Sequence, residues 1–201
     1  MDPSVLKTAI DTIAQRMIAH SDELTELDRA IGDGDHGLNM KRGFEAVVAD
    51  RDRILALPLP QALAAVGTTL VMKVGGASGP LYGTLFMAMG KALPADPSPT
   101  DAVAAFGAAV EAVKARGKSQ AGQKTMLDVL VPVQQALAAG ERDAAALRAL
   151  AASSAAATVP MLAIRGRASF LGERSIGHMD PGARSSELLV CAVLDTFEGK
   201  T

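Results

Sequence analysis

Ser21-Asp22-Glu23-Leu24-Thr25-Glu26-Leu27-Asp28-Arg29-Ala30-Ile31-Gly32-Asp33-Gly34-Asp35-His36-Gly37-Leu38-Asn39 is the stretch on which the fold class turns. Gly32, Gly34 and Gly37 satisfy a G-x-G-x-x-G fingerprint, which holds a dinucleotide only where it joins a strand to a helix. The residues ahead of these glycines are helical instead: Ser21 can cap a helix that runs through Leu24 and Leu27 until Gly32 breaks it. Asp33 and Asp35 also put negative charge where a bare pyrophosphate would sit. Like charges at ~4 Å repel by about 4 kcal/mol at an effective dielectric of 20. The expected order is therefore helix, acidic loop, helix, and a Rossmann sheet is set aside.

Outward from this loop the pattern stays helical. Val5, Leu6, Ala9, Ile10, Ile13, Met17 and Ile18 recur at helical spacing between Pro3 and His20, with Pro3 suited to a first turn. Further helices are expected over about 39–55, 59–72, 79–93, 100–116, 125–139, 143–163 and 184–198, separated by punctuation such as Pro58, Gly75-Gly76, Pro97 and Gly140. Thr100 is the expected N-cap of the helix carrying Val103, Phe106 and Val110. Pro132 and Pro160 fall inside two helical segments and should kink or end them. The alanine-rich run 136–157 keeps some helical spacing in Leu137, Leu147 and Leu150, with Arg142 and Arg148 for solubility, and reads as an ordinary helix with a close-packed face. No segment alternates apolar and polar residues as a half-buried strand does. The expected fold is all-α, with about eight helices in one domain spanning 1–201.

Composition narrows the function. The 201 residues are 49% hydrophobic yet only 3% aromatic, with no tryptophan and nine methionines, so the core must be aliphatic. Basic and acidic residues nearly balance at 20 and 22, with no basic tract to grip a phosphate backbone, so nucleic acid is not an expected partner. Cys191, the single cysteine, sits in an apolar run and reads as a small buried hydrophobe. No stretch approaches the roughly 18 apolar residues of a membrane span. A soluble, cytoplasmic protein is expected.

The acidic loop carries the chemistry. An EF-hand starting at Asp33 would need glycine sixth and glutamate twelfth, where the chain has Leu38 and Phe44. What remains is a hard-cation site, in which Asp28, Asp33 and Asp35 converge on one or two Mg²⁺ ions and leave positions for phosphate oxygens and water. Three carboxylates and a nucleoside triphosphate sum to about −7, and two ions bring this near −3. The plainer alternative makes Asp28 and Asp33 helix caps and Asp35 a turn residue. Three aspartates within eight residues, flanked by glycines, favour the metal.

Two more segments fit a phosphate-bearing ligand. Gly75-Gly76-Ala77-Ser78-Gly79-Pro80 is small throughout, so its backbone N–H groups can approach an anion just ahead of a helix, although a tight interhelical turn would look the same. The long loop from Arg165 to Gly182 holds Arg165, Arg167 and Arg174, which can supply positive charge to phosphates. His36 and His178 invite a general-base or phosphohistidine role, but histidine in a glycine-rich turn more often makes structural hydrogen bonds.

The blocks LDRAIGDGDHGLNMKRGF, VGGASGPLYGT, GQKTMLDVLVP and RGRASFLGERSIGHMDPGA give the chain a family likeness. It resembles the L subunit, or the equivalent C-terminal domain, of dihydroxyacetone kinases. The blocks stand in the family's order and leave the first helix and the stretches 44–73, 87–115 and 134–163 without a signature. The resemblance implies a single-domain barrel of eight antiparallel amphipathic helices with ADP or ATP at one end, where Asp28, Asp33 and Asp35 hold two Mg²⁺ ions. It implies nucleotide contacts from His36, Gly37, Leu38, Asn39, Ala77, Ser78, Gly117, Met126, Arg167, Asp180, Pro181 and Gly182, with Asp28, Asp33, Asp35 and Arg167 serving catalysis. It also implies two partners: a K subunit that carries the ketose on a histidine, and a phosphohistidine protein of the phosphotransferase system that recharges the bound ADP, unless ATP is the donor. The sugar, dihydroxyacetone or another short ketose, is then the K subunit's choice. Two rivals differ in class: a self-sufficient Mg²⁺-dependent kinase or phosphatase, which lacks an acid/base pair here, and a non-catalytic ADP-binding regulator.

Overall fold

The protein is described by a computed structural model over residues 2–198. Helices are the only regular structure among these residues: α1 Pro3–Ala19, α2 Ser21–Ile31, α3 His36–Ala49, α4 Arg51–Leu55, α5 Leu59–Lys73, α6 Ser78–Ala92, α7 Pro99–Gly117, α8 Leu127–Ala138, α9 Ala144–Ala156, a 3-10 helix Arg167–Ser175, and α10 Pro181–Glu198. None of them is long and apolar enough to cross a membrane.

Contacts run from α1 to α3, then α5, α6, α7, α8, α9 and α10, and back from α10 to α1. Eight helices thus close a ring, as expected, while α2 and α4 pack outside it. The closure follows from the buried stripes. Met17, Met40, Leu70, Tyr82, Leu127 and Leu130 lose nearly all contact with solvent and share one core across α1, α3, α5, α6 and α8. Full burial of such a side chain contributes about 1.5–3 kcal/mol, so the ring is held from inside. At the α1/α9/α10 seam, Asp195 accepts from both Arg16 and Arg148, and Arg148 also grips Glu198 at 2.6 Å.

Several local expectations need correction. The helix expected over 39–55 is two, α3 and α4, parted at Asp50, and α3 begins three residues early. The one expected over 143–163 stops at Ala156, before Pro160, whose ring cannot continue it. Pro132, in contrast, stays inside α8. Ser21 is the first residue of α2 rather than its cap, and no side chain caps that end. Ser98, not Thr100, caps α7, in a reciprocal box with Asp101 and with Pro99 at the first helical position.

The tightest pair is α5 with α6. A Cβ on Gly67 would lie 2.6 Å from the Gly83 carbonyl oxygen, and one on Gly83 would lie 2.8 Å from that of Gly67. The two backbones meet where no side chain intervenes. Gly67→Ala should therefore cost about 1–2 kcal/mol, since overpacking of about 1–3 kcal/mol exceeds the gain of up to about 1 kcal/mol in helix propensity. Urea titration would measure it, and an unchanged or higher midpoint would refute the close approach.

Candidate metal and anion centre

The acidic loop forms where α2 ends and α3 begins. Asp28 sits in the last turn of α2, 8% exposed, and its Oδ2 accepts the N–H groups of Asp35 at 2.9 Å and His36 at 3.1 Å. One carboxylate oxygen therefore folds the loop back and caps α3, as the plainer alternative required, while the other is left to face its neighbours. Gly32 leaves room for it: a Cβ there would fall 2.0 Å from Asp28 Oδ1. Gly34, at φ +74°, makes the turn that a side chain would resist. Asp28, Asp33 and Asp35 each offer one oxygen, all within 4.8 Å of one another. Oxygen donors at this spacing suit Mg²⁺ and leave sides open for other ligands.

These carboxylates line a cleft onto which four helices open their N-termini. His36 begins α3, Ser78 begins α6, Met126 precedes α8, and Asp180-Pro181 leads α10. Each such end carries about half a positive charge, although Asp28, Thr125 and Asp180 already take N–H groups at the ends of α3, α8 and α10. Gly75, Gly76 and Ala77 line the cleft ahead of α6, and Gly76 has φ +63° with open space around it. Carboxylates for a cation beside helix ends for an anion is the arrangement a metal–phosphate ligand needs.

Of the arginines in the long loop, Arg165 and Arg167 line the cleft, and Arg167 pairs with Asp33 at 3.1 Å. Arg174 is exposed outside it. His178 is exposed too, and its carbonyl rather than its ring is engaged.

His36 is buried, with Nδ1 2.9 Å from Ser78 Oγ and Nε2 2.9 Å from Ser185 Oγ. Burial holds its pKa below the ordinary value, against the pull of Asp28 and Asp35, so the ring is neutral at pH 7. Both nitrogens are occupied, which leaves no free site for phosphorylation and makes His36 a bolt between α3, α6 and α10. Tyr82 extends the chain, its hydroxyl 2.7 Å from Ser185 Oγ and 3.0 Å from Ser186 Oγ. Burial raises its pKa to about 12.

The other residues expected around a nucleotide divide. Ala77, Ser78, Met126, Arg167, Asp180, Pro181 and Gly182 line the cleft. Gly37, Leu38, Asn39 and Gly117 do not. Gly37 is pressed against α2, Leu38 is 57% exposed, and Asn39 Oδ1 accepts from Arg42 at 2.7 Å. Gly117 ends α7 behind Leu81, which is itself on the cleft wall. Lys124, Thr125 and Tyr82 line it without having been singled out in the sequence.

Asp180 is buried, and its Oδ2 accepts the Ala183 N–H at 2.7 Å, capping α10. Desolvation pushes its pKa up to about 7, well above the roughly 3.9 of an unfolded aspartate. Between pH ~4 and ~7 the folded chain keeps a proton that the unfolded chain has released, so this carboxyl makes stability fall as pH rises through that window. Asp180→Asn keeps the capping oxygen and removes the titration. The nucleotide-free variant should melt several degrees above wild type at pH 8 and close to it at pH 5. Parallel melting curves at both pH values would contradict the elevated carboxyl.

The family described as DAK2 domain matches residues 30–195. The PEP-dependent dihydroxyacetone kinase 1, ADP-binding subunit DhaL, of Listeria innocua is 42% identical over 188 residues, covering 93% of each chain. The corresponding PEP-dependent ADP-binding subunit DhaL of Escherichia coli is 46% identical over 174 residues, 82% of this chain and 83% of that one. Among solved structures, the dihydroxyacetone kinase of C. freundii in complex with AMP-PNP and Mg²⁺ superposes with a TM-score of 0.75 at 24% identity, over 93% of this chain and 33% of the longer one. That likeness establishes the shared fold.

Proposed function

The chain belongs to the DAK2 domain family, and from that premise we propose that it is the ADP-binding, DhaL-type subunit of a dihydroxyacetone kinase. It works as a phosphotransferase with a K-type partner, and residues 1–201 make up its one nucleotide-binding domain. The observation that carries this is the cleft itself, where three carboxylates within 4.8 Å face four helix N-termini. A nucleotide's phosphates need both halves, because the carboxylates alone would repel them.

Asp28, Asp33 and Asp35 would hold two Mg²⁺ ions, which when bound neutralise charge on the phosphoryl oxygens. The N–H groups at Ala77 and Ser78 would hold the phosphates, and Arg167, which pairs with Asp33 at 3.1 Å, would supply positive charge to the phosphate oxygens. Asp180, Pro181 and Gly182, which line the cleft with Met126, would border the remainder of the nucleotide. The chain thus contributes positioning and electrostatic stabilisation, while the ketose and its activating base belong to the partner. The other titratable groups on the cleft wall are engaged in the fold, His36 through both ring nitrogens and Asp180 as the cap of α10, which supports this division.

The names of the PEP-dependent relatives favour a phosphohistidine protein of the phosphotransferase system as donor, with ADP retained as a cofactor in the cytoplasm. Denaturing the purified protein and weighing the released nucleotide tests this, together with calorimetry of ADP with and without Mg²⁺. Tight binding only with magnesium is expected. A wild type that binds no adenine nucleotide in the presence of magnesium would return the aspartates to caps and turn residues.

A further inference from the structure

Lys124 is 1% exposed, although lysine is among the residues least often buried. Among the described residues it forms no salt bridge. Its Nζ instead points at five backbone carbonyl oxygens: Thr158 at 2.9 Å, Val159 at 3.4 Å, Met161 at 3.1 Å, Ser175 at 2.7 Å and His178 at 2.5 Å. An ammonium has three N–H groups, so some of these bonds are shared. A positive charge ringed by carbonyl dipoles is the environment of a coordinated monovalent cation, here tethered to the chain by four methylenes.

The five carbonyls come from two arms of one loop. Thr158, Val159 and Met161 follow α9, and Ser175 and His178 precede α10. Between the arms the chain carries Arg165 and Arg167 into the cleft. Other polar contacts also join the arms, the Gly177 N–H donating to the Val159 carbonyl at 2.8 Å and the Ala163 N–H to Ser175 Oγ at 3.0 Å, but apolar burial between them is slight. Ala163 and Ala168 are its buried side chains before Ser175, whereas Leu162, Ile164 and Phe170 are exposed, Phe170 by 89%. A segment with so few buried apolar contacts opens readily unless polar contacts close it.

The turn that delivers the lysine is itself constrained. Lys124 has φ +60°, a region few non-glycine residues occupy. Asp128 grips that turn from both sides, Oδ1 accepting the Gly122 N–H at 2.5 Å and Oδ2 the Thr125 N–H at 2.7 Å. A strained backbone fixed on both sides, with the side chain aimed at converging carbonyls, is a built arrangement rather than an accident of packing.

We propose that Lys124 is a positioning residue that serves as an internal cation, gathering the carbonyls at both ends of the arginine-bearing loop and so holding Arg165 and Arg167 at the cleft. The consequence for ligand binding rests on the nucleotide reading of that cleft, whereas the clamp on the loop does not.

Hydrogen exchange of the nucleotide-free protein reads the clamp directly. In Lys124→Met, peptides over 162–177 should exchange at least tenfold faster than in wild type, with those of α1, α5 and α6 unchanged. Lys124→Gly suits the positive φ and leaves the carbonyls open to a small cation. It should lose at least tenfold in Mg²⁺-ADP affinity and recover several-fold with added methylammonium, but not with tetramethylammonium, which has no N–H to donate. Wild-type exchange over 162–177 in Lys124→Met would overturn the proposal, as would Lys124→Gly showing no response that separates the two cations in either exchange or affinity. If wild type bound no Mg²⁺-ADP while the loop still opened in Lys124→Met, the clamp would stand and the nucleotide reading would fall.

Discussion

Asp33→Asn should weaken Mg²⁺-ADP binding at least 100-fold while leaving the melting temperature of the nucleotide-free protein within about 2 °C of wild type. The two halves have separate causes. Asp33 supplies one of three oxygens within 4.8 Å of one another, and its side chain is 37% exposed. The amide keeps the shape but removes the charge that a hard cation requires. A 100-fold loss is about 2.7 kcal/mol, modest for a charged ligand facing a divalent ion. The fold loses little, because the one ion pair given up, with Arg167, is largely exposed and such pairs contribute about 0–1 kcal/mol. In the absence of metal the change also relieves repulsion among the three carboxylates. Calorimetry with saturating Mg²⁺ and a thermal melt without nucleotide suffice. Retained tight binding would remove Asp33 from the metal site, and a large drop in melting temperature would make it a structural cap.

Gly37→Val should lower the melting temperature by about 6–12 °C, which corresponds to about 3 kcal/mol for a chain of this size. A Cβ on Gly37 would stand 1.8 Å from the Ser21 carbonyl oxygen and 2.5 Å from Thr25 Oγ1. The first of these is backbone and cannot rotate away, so α3 must shift from α2. That shift would pull Asp35 and His36 off the Asp28 carboxylate, to which their N–H groups donate. Mg²⁺-ADP affinity should therefore fall together with stability, in contrast to Asp33→Asn. Gly37 acts in this way without lining the cleft. A variant that melts within 2 °C of wild type would show that α2 and α3 do not cross where the structure places them.

Much of this was legible in the chain because helices and glycine turns are local. The spacing of Leu24 and Leu27 ahead of Gly32 was enough to reject a strand, and the acidic loop forms between two helices as that spacing requires. Misplaced boundaries had local causes that propensity does not resolve. Ser98 outcompetes Thr100 because Asp101 completes a reciprocal box, and α3 begins at His36 because a carboxylate seven and eight residues back supplies its cap. Lys124 was invisible because lysine in a polar interhelical turn reads as solvated. Only the meeting of 158–161 with 175–178 surrounds it with carbonyls.

By itself, then, the sequence determined the fold class, the three candidate metal ligands and the glycine-rich cradle, since each rests on residues within one turn or loop. Tertiary structure alone decided that α3, α6, α8 and α10 aim their N-termini at the same cleft, that His36 is spent on Ser78 and Ser185, and that Asp180 is buried enough to hold a proton near neutral pH. The physical reason is range. Helix periodicity and turn chemistry act over a few residues, whereas converging dipoles, desolvation and a carbonyl cage are sums over segments that only closure of the barrel brings together.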